Sequence, residues 1–244
     1  RSLRIIPQLV MKWVRSITNW LWPRLCLLCA APAGDAQLCS GCDADLSRIS
    51  RACPRCAAPV LTPGECADCV RYPPAFEAAY APLAYEGSVR YLLTQFKYHR
   101  RLSCGAPLAH AMLQSLRGRT GNMPQALIPV PIHPKRLRER GFNQSLELAR
   151  PLGQALGIAV LPDVVRRVRA TVPQNQLAED ERVANVRGVF ALRAEAIVPK
   201  HVAIVDDVLT TGATVRELAR ILRKHGCERV EVWCAARTRS GVST

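Results

Sequence analysis

Eight of the chain's eleven cysteines fall between residues 26 and 69, as four CxxC pairs: Cys26/Cys29, Cys39/Cys42, Cys53/Cys56 and Cys66/Cys69. Within each half the two pairs are separated by the same nine residues. The halves CLLCAAPAGDAQLCSGC and CPRCAAPVLTPGECADC share even the CAAP step, so the segment is an internal duplication. A CxxC turn holds two thiolates at the separation of two corners of a tetrahedron, which is the chemistry of Zn²⁺. Disulfides fit poorly with an intracellular, enzyme-like chain. A thioredoxin-like redox pair would not need four copies, and iron–sulfur ligation lacks its usual uneven spacing. Two pairings satisfy the spacing. The sequential one puts Cys26, Cys29, Cys39 and Cys42 on one ion and Cys53, Cys56, Cys66 and Cys69 on a second; the other is cross-braced. Either closes the coordination sphere with four thiolates, so the metal is structural. A segment this short cannot fold on its apolar core alone, and zinc supplies much of its stability. Cys104, Cys227 and Cys234 are isolated and read as buried thiols.

Ahead of this module, Ile6, Val10, Trp13, Ile17 and Trp20 recur at helical spacing, which predicts an amphipathic helix within residues 1–25. Such a helix docks on its own protein, or on a partner or membrane surface through Lys12 and Arg15. Apolar content of 49% predicts a folded chain, and no window approaches the ~20 uninterrupted apolar residues of a membrane span. The expectation is a cytoplasmic protein that is not an integral membrane protein. Charge is uneven: the net balance is +15, and the stretch from Gly87 to Arg138 carries nine basic residues and no acidic one. That is the footprint of a polyanion partner, a nucleic acid or a multiply phosphorylated small molecule, or else a generic basic surface.

The cysteine-rich module is expected over residues 26–72 and a second domain over 76–240, because beyond Pro73-Pro74 strands begin to alternate with helices. SVRYLLTQFKY, PLAHAMLQSL, SLELARPLGQALG and ATVRELARILRKHG read as helices, with Gly157 and Gly226 at C-terminal ends. QALIPVPI, HVAIVDD and RVEVWCAA read as buried strands, and HPKRLRERGFNQ as a basic loop. This alternation predicts an α/β fold with a mostly parallel sheet covered by helices on both faces. Ligands of such sheets collect beyond the carboxyl ends of the strands.

One strand end is unusual. In VAIVDDVLTTGATV a buried run meets Asp206 and Asp207, then a loop of small residues that opens into a helix. A helix N-terminus attracts anions, and Gly212 and Ala213 let a phosphate approach the backbone while Thr210, Thr211 and Thr214 add hydroxyl donors. The Walker lysine is absent, and so is G-x-G-x-x-G. The carboxylates would repel phosphate but suit sugar hydroxyls or Mg²⁺. A vicinal diol beside a phosphate describes a ribose 5-phosphate. Taken singly, Thr214 and Glu217 also match a capping box, and Asp207 could serve the helix dipole.

VAIVDDVLTTGAT resembles the 5-phosphoribosyl 1-diphosphate (PRPP) motif of type I phosphoribosyltransferases. Four CxxC units, PVPIHPKRLRERGFNQ, QNQLAEDERVANVRGVF and this motif, in that order, resemble the ComF family of competence-associated proteins over nearly all the chain beyond residue 25. The resemblance implies a double zinc ribbon followed by a phosphoribosyltransferase-type domain, and in some members a role in DNA uptake during natural transformation. Carried over, it makes Asp206 and Asp207 the catalytic carboxylates, bonding the ribose 2- and 3-hydroxyls directly or through Mg²⁺. Thr210, Thr211, Gly212, Ala213 and Thr214 would cradle the 5-phosphate. Arg136, Arg138 and Arg140, with the backbone of Gly141, would meet the diphosphate. Arg182 and Asn185 look like a further signature pair, or a solvated arginine and a helix cap.

Purine-salvage relatives place an acidic residue three positions after the acidic pair, where this chain has Thr210, which counts against a purine acceptor. Two functions stay open on the sequence: phosphoribosyl transfer from PRPP to an unidentified acceptor, or non-catalytic binding of single-stranded DNA by the ribbons and the basic surface, with DNA-uptake proteins as partners.

Overall fold

The computed structural model describes residues 24–119, 121–169 and 188–238. The expected helix within residues 1–25, with Trp13 and Trp20, falls almost wholly outside them, as do Arg182 and Asn185.

The chain divides into two compact units, residues 1–45 and 46–244. The division runs between the two halves of the cysteine-rich segment. In the first unit, Ala30 N–H donates to the Cys26 carbonyl at 2.9 Å and Cys26 N–H to the Ala31 carbonyl at 2.7 Å. These bonds close the first CxxC turn, and the second CxxC opens helix α1 (Ser40–Ala44), with Cys39 at its N-cap and Cys42 inside it. In the second unit Ala57 N–H and Cys53 N–H make the equivalent bonds, both at 2.8 Å, and the second CxxC opens α2 (Ala67–Arg71), with Cys66 at its N-cap and Cys69 inside it. The duplication is therefore structural as well as sequential.

The Cys53–Cys56 turn is built into the larger unit. Ala57 is fully buried in the main core beside Phe76 and Ala79. Ala79 N–H donates to the Pro54 carbonyl at 3.1 Å, and Ala84 N–H to the Ser47 carbonyl at 2.8 Å.

From β1 (Ala78–Tyr80) and β2 (Leu83–Ala84) the chain enters α3 (Gly87–Tyr98), a 3₁₀ turn (Leu102–Cys104) and α4 (Gly105–Arg117). Then come β3 (Ala126–Pro129), α5 (Pro134–Arg140), α6 (Gln144–Leu156) and β4 (Ala159–Val160). An antiparallel pair, β5 (Val165–Arg167) and β6 (Phe190–Leu192), stands apart, before β7 (His201–Leu209), α7 (Ala213–Lys224) and β8 (Arg229–Arg237). The six-stranded sheet has the order β1-β8-β7-β3-β4, with β2 also on β8. Every pair in it is parallel. This is the expected α/β fold.

The central strands are near-continuous apolar runs because helices cover both faces. All of β3 and eight of the nine residues of β8 are buried. Helix α7 buries the predicted stripe Val215, Leu218, Ala219 and Leu222; full burial of each leucine contributes about 1.5–3 kcal/mol.

One element differs from expectation: HPKRLRERGFNQ contains a helix rather than a loop throughout. Pro134 sits in the first turn, the His133 side chain accepts from Lys135 N–H, and Gly141 ends the helix at φ +87°. Lysine, arginine, leucine and glutamate are good helix formers, so local propensity carries this segment where no apolar stripe marks it.

Candidate functional site

The carboxyl ends of β3 and β7, adjacent in the sheet, carry the candidate site. Asp206 and Asp207 are the sixth and seventh residues of β7. Asp207 is buried, at 4% exposure, and Lys97 from the last turn of α3 sets its Nζ 2.9 Å from Asp207 Oδ2. The approach is that of an ion pair rather than of an aligned hydrogen bond. Burial alone would lower the Lys97 pKa, but the charge of Asp207 outweighs it and leaves the ammonium more basic than usual.

Asp206 is partly open to solvent yet closely surrounded by protein. Its Oδ1 accepts from Ser145 Oγ at 3.0 Å and from Asp207 N–H at 2.9 Å. Burial first, and the neighbouring Asp207 charge second, push its pKa up to about 7, against the lowering effect of Lys97. Two carboxylates thus share one nearby ammonium, an arrangement of hard oxygen donors that fits a divalent cation such as Mg²⁺.

Ser145 is placed by the start of α6. The Asn143 side chain caps the helix by accepting from Ser145 N–H at 3.1 Å, and its amide donates to the Val130 carbonyl at 3.1 Å. One asparagine therefore ties helix α6 to the end of β3 and sets the hydroxyl that meets Asp206.

Beyond β7 the chain turns through Thr210–Gly212 into α7. Gly212 occupies the N-cap position at φ +77°, a left-handed conformation that glycine adopts without strain. Ala213 N–H points to Thr211 Oγ1 at 3.4 Å. Thr210, Thr211 and Thr214 remain partly open, while Gly212 and Ala213 are buried. The capping-box alternative is not what forms. Thr214 lies inside the helix, and Glu217 instead bonds Arg220 at 2.7 Å and accepts from Gly188 N–H at 3.0 Å.

The basic residues after β3 go to different places. Arg136 lies near enough to Arg167, on β5, to lower that residue's pKa. Arg140 donates to Gln144 Oε1 at 2.5 Å and its guanidinium lies 5.5 Å from the centre of the Tyr98 ring. Arg138 is exposed, and Gly141 is the helix cap.

Four participants were not singled out from sequence: Lys97, Asn143, Ser145 and Arg167. Arg167 is held over the Phe190 ring, 5.6 Å from its centre. Burial first, then Arg136, bring its pKa down to about 10, while Asp206 opposes the shift. Lys97 had a faint signal as one of the nine cations in the acid-free stretch. The others had none, since their roles depend on what faces them.

Each cysteine set has the geometry of a zinc site. In the sequential groups Cys26, Cys29, Cys39, Cys42 and Cys53, Cys56, Cys66, Cys69, the four sulfurs all lie within 4.8 Å of one another. Four sulfurs at tetrahedral Zn–S distances would stand about 3.8 Å apart; Cys29–Cys39 and Cys56–Cys66 are both 3.6 Å. Backbone N–H groups already address the sulfurs, Cys42 to Cys39 at 3.4 Å and Cys66 to Cys53 at 3.3 Å. Crowding drives the thiols apart in acidity. Against the burial that opposes it, N–H groups of Cys39, Leu28 and Cys29 lower Cys26 to about 6, while burial and neighbouring thiols push Cys56 up to about 11. Both sets fit structural zinc, and the sequential grouping is the one formed.

Comparison with known proteins agrees with this geometry. Residues 17–70 match the double zinc ribbon domain, and residues 143–243 the phosphoribosyl transferase domain. The chain is 36% identical to DNA utilization protein YhgH of Salmonella typhimurium, over 88% of this chain and 98% of that one. It is 31% identical to Competence protein F of Haemophilus influenzae, over 82% and 90%. The chain belongs to the ComF family. A more distant ComF relative, Competence protein ComFC of Streptococcus pneumoniae, is 25% identical over 83% of this chain and 89% of its own. Among solved structures, an allosteric regulatory enzyme of purine biosynthesis is alike with a TM-score of 0.35 and 22% identity, over 52% of this chain and 24% of that chain. This chain sets a double zinc ribbon before a phosphoribosyltransferase-type domain.

Proposed function

We propose that this ComF protein binds PRPP with Mg²⁺ at the carboxyl end of β7. The observation that carries the reading is one continuous turn: two carboxylates sharing a single lysine, followed within a few residues by a glycine-capped helix N-terminus. Asp206 and Asp207 accept from the ribose hydroxyls or hold Mg²⁺, and Thr210, Thr211, Gly212, Ala213 and Thr214 receive the 5-phosphate. Arg136, with Arg138, Arg140 and the Gly141 backbone on the same short helix, supplies positive charge toward the diphosphate. Mg²⁺, when bound, neutralises charge on the departing diphosphate. In transfer, an acceptor nucleophile bonds C1 as the C1–diphosphate bond breaks, and the carboxylates offset the positive charge that develops on the ring.

Calorimetry with PRPP and Mg²⁺ tests the reading. The double variant Asp206→Asn, Asp207→Asn is expected to lose measurable binding; unchanged affinity would remove the assignment.

We place this chain in DNA uptake, in the cytoplasm; the relatives named for DNA utilization and competence support the first. Among the described residues no helix is long and apolar enough to cross a membrane. A second reading, binding of single-stranded DNA, is favoured by one surface. Tyr91 and Tyr98 are exposed on α3, Arg140 lies over Tyr98, and Arg90, Arg100 and Arg101 are exposed nearby in sequence. Aromatic rings among cations suit stacked bases and a phosphate backbone. Oligonucleotide affinity should then fall steeply with salt and fall again on Tyr98→Ala. A salt-insensitive complex would exclude this surface.

A further inference from the structure

Arg237 ends β8, where it pairs with Leu209 at the end of β7. The residue is 6% exposed, and its side-chain hydrogen bonds run in two directions. Nε donates to the carbonyl of Cys56 at 3.1 Å. Nη1 donates to the carbonyl of Leu209 at 3.0 Å and to that of Thr210, and also to the carbonyl of Thr238 at 3.1 Å. Cys56 is a ligand of the second Cys₄ set; Leu209 and Thr210 are the residues from which the Thr211–Thr214 turn departs. A rigid planar guanidinium with several donors spans two such groups of carbonyls at fixed separation; a lysine ammonium would not.

We infer that Arg237 is a positioning residue through which the second Cys₄ site holds the phosphate turn. Zinc at Cys53, Cys56, Cys66 and Cys69 fixes the Cys56 carbonyl. That carbonyl orients the guanidinium, and the guanidinium fixes the carbonyls of Leu209 and Thr210. The contact has support on both sides. Ala57, the next residue after Cys56, is fully buried in the core and holds a left-handed backbone at φ +55°. A non-glycine residue is strained in that conformation, so the turn relaxes once its sulfurs are no longer tied together. At the far end, Thr238 N–H closes on the Leu209 carbonyl at 3.1 Å, so the guanidinium and a backbone bond share one acceptor. Ligand affinity at the carboxyl end of β7 therefore depends on metal bound at Cys₄, through Arg237. The consequence for affinity rests on the PRPP reading; the consequence for the turn does not.

The test uses the full-length, zinc-loaded protein. Zinc is withdrawn stepwise from the wild type with a chelator, and hydrogen exchange is followed in peptides covering residues 207–216 and, as a control, β3. Protection over 207–216 is expected to drop about tenfold in step with loss of the zinc at Cys53–Cys69, while β3 keeps its protection. Loss of protection in both together, or in neither, overturns the inference. Arg237→Lys should retain the full zinc content, lose the same protection and bind PRPP about tenfold more weakly. Wild-type exchange in Arg237→Lys would also overturn it. If 207–216 responds to zinc but the wild type binds no PRPP, the ligand reading fails and the coupling stands. If both proteins bind PRPP equally, the coupling fails and the ligand reading stands.

Discussion

Lys97 Nζ lies 2.9 Å from Asp207 Oδ2, with the lysine side chain 18% and the aspartate 5% exposed. The two residues come from different elements, the end of α3 and the end of β7, so the pair fastens a helix to the strand that carries the site. Removing one member of a buried pair leaves an uncompensated charge, which costs several kcal/mol when burial is complete. Lys97 is not fully buried, so Lys97→Met is expected to destabilise the fold by roughly 2–3 kcal/mol in urea denaturation. Adding Asp207→Asn should recover part of that loss. Equal stability of Lys97→Met and wild type would show that the pair contributes nothing.

Asp206 should make stability depend on pH in the direction opposite to most carboxylates. Its folded pKa is raised from 3.8 to about 7, by burial first and by Asp207 second. The folded state therefore holds this proton more tightly than the unfolded chain does. The stabilisation from Asp206 is fully present below about pH 4 and is lost as pH rises through about 7. Asp206→Asn, which never ionises, should melt higher than the ligand-free wild type at pH 8, by on the order of 1–3 kcal/mol. The difference should close by pH 4. A difference that stays constant between these pH values would contradict the raised pKa. A site that is destabilising when empty is what a cation-binding carboxylate pair entails.

Gly212→Ala tests the proposed phosphate turn without touching a charge. A Cβ there would meet nothing closer than 3.6 Å, so space is available; the φ of +77° is the obstacle. Holding alanine in that region costs roughly 1–2 kcal/mol. The variant is expected to lose about that much stability, and PRPP affinity should drop about tenfold as the turn relaxes. Wild-type values for both thermal melting and calorimetry would mean that the turn does not need glycine.

The two metal sets should behave differently although their sequences are near copies. Metal analysis should find about two zinc ions per chain. Cys26→Ser should remove about one of them and leave the melting of the 46–244 unit unchanged, because that set belongs to the 1–45 unit. Cys53→Ser should remove the other and lower that melting temperature, because Cys53 and Ala57 are buried in the larger unit. Equal effects of the two substitutions would contradict this division.

Much of this was legible in the sequence because it is short-range. A CxxC turn, a buried run ending in two aspartates and a helix with apolar residues at 215, 218, 219 and 222 are patterns within a few residues, fixed by backbone geometry and periodicity. They determined the zinc ligands, the α/β fold and the location of the acidic pair. The basic segment after β3 misled because its helix, Pro134–Arg140, rests on propensity and caps and buries no residue of its own. What tertiary structure decided is who meets whom. The spacing allowed two cysteine pairings, and packing formed the sequential one. Ser145 reaches Asp206 across 61 residues, and Arg237 reaches Cys56 across 181. No local pattern encodes such contacts, because they arise only when the sheet brings distant strand ends side by side and desolvation forces each buried charge to find a partner there.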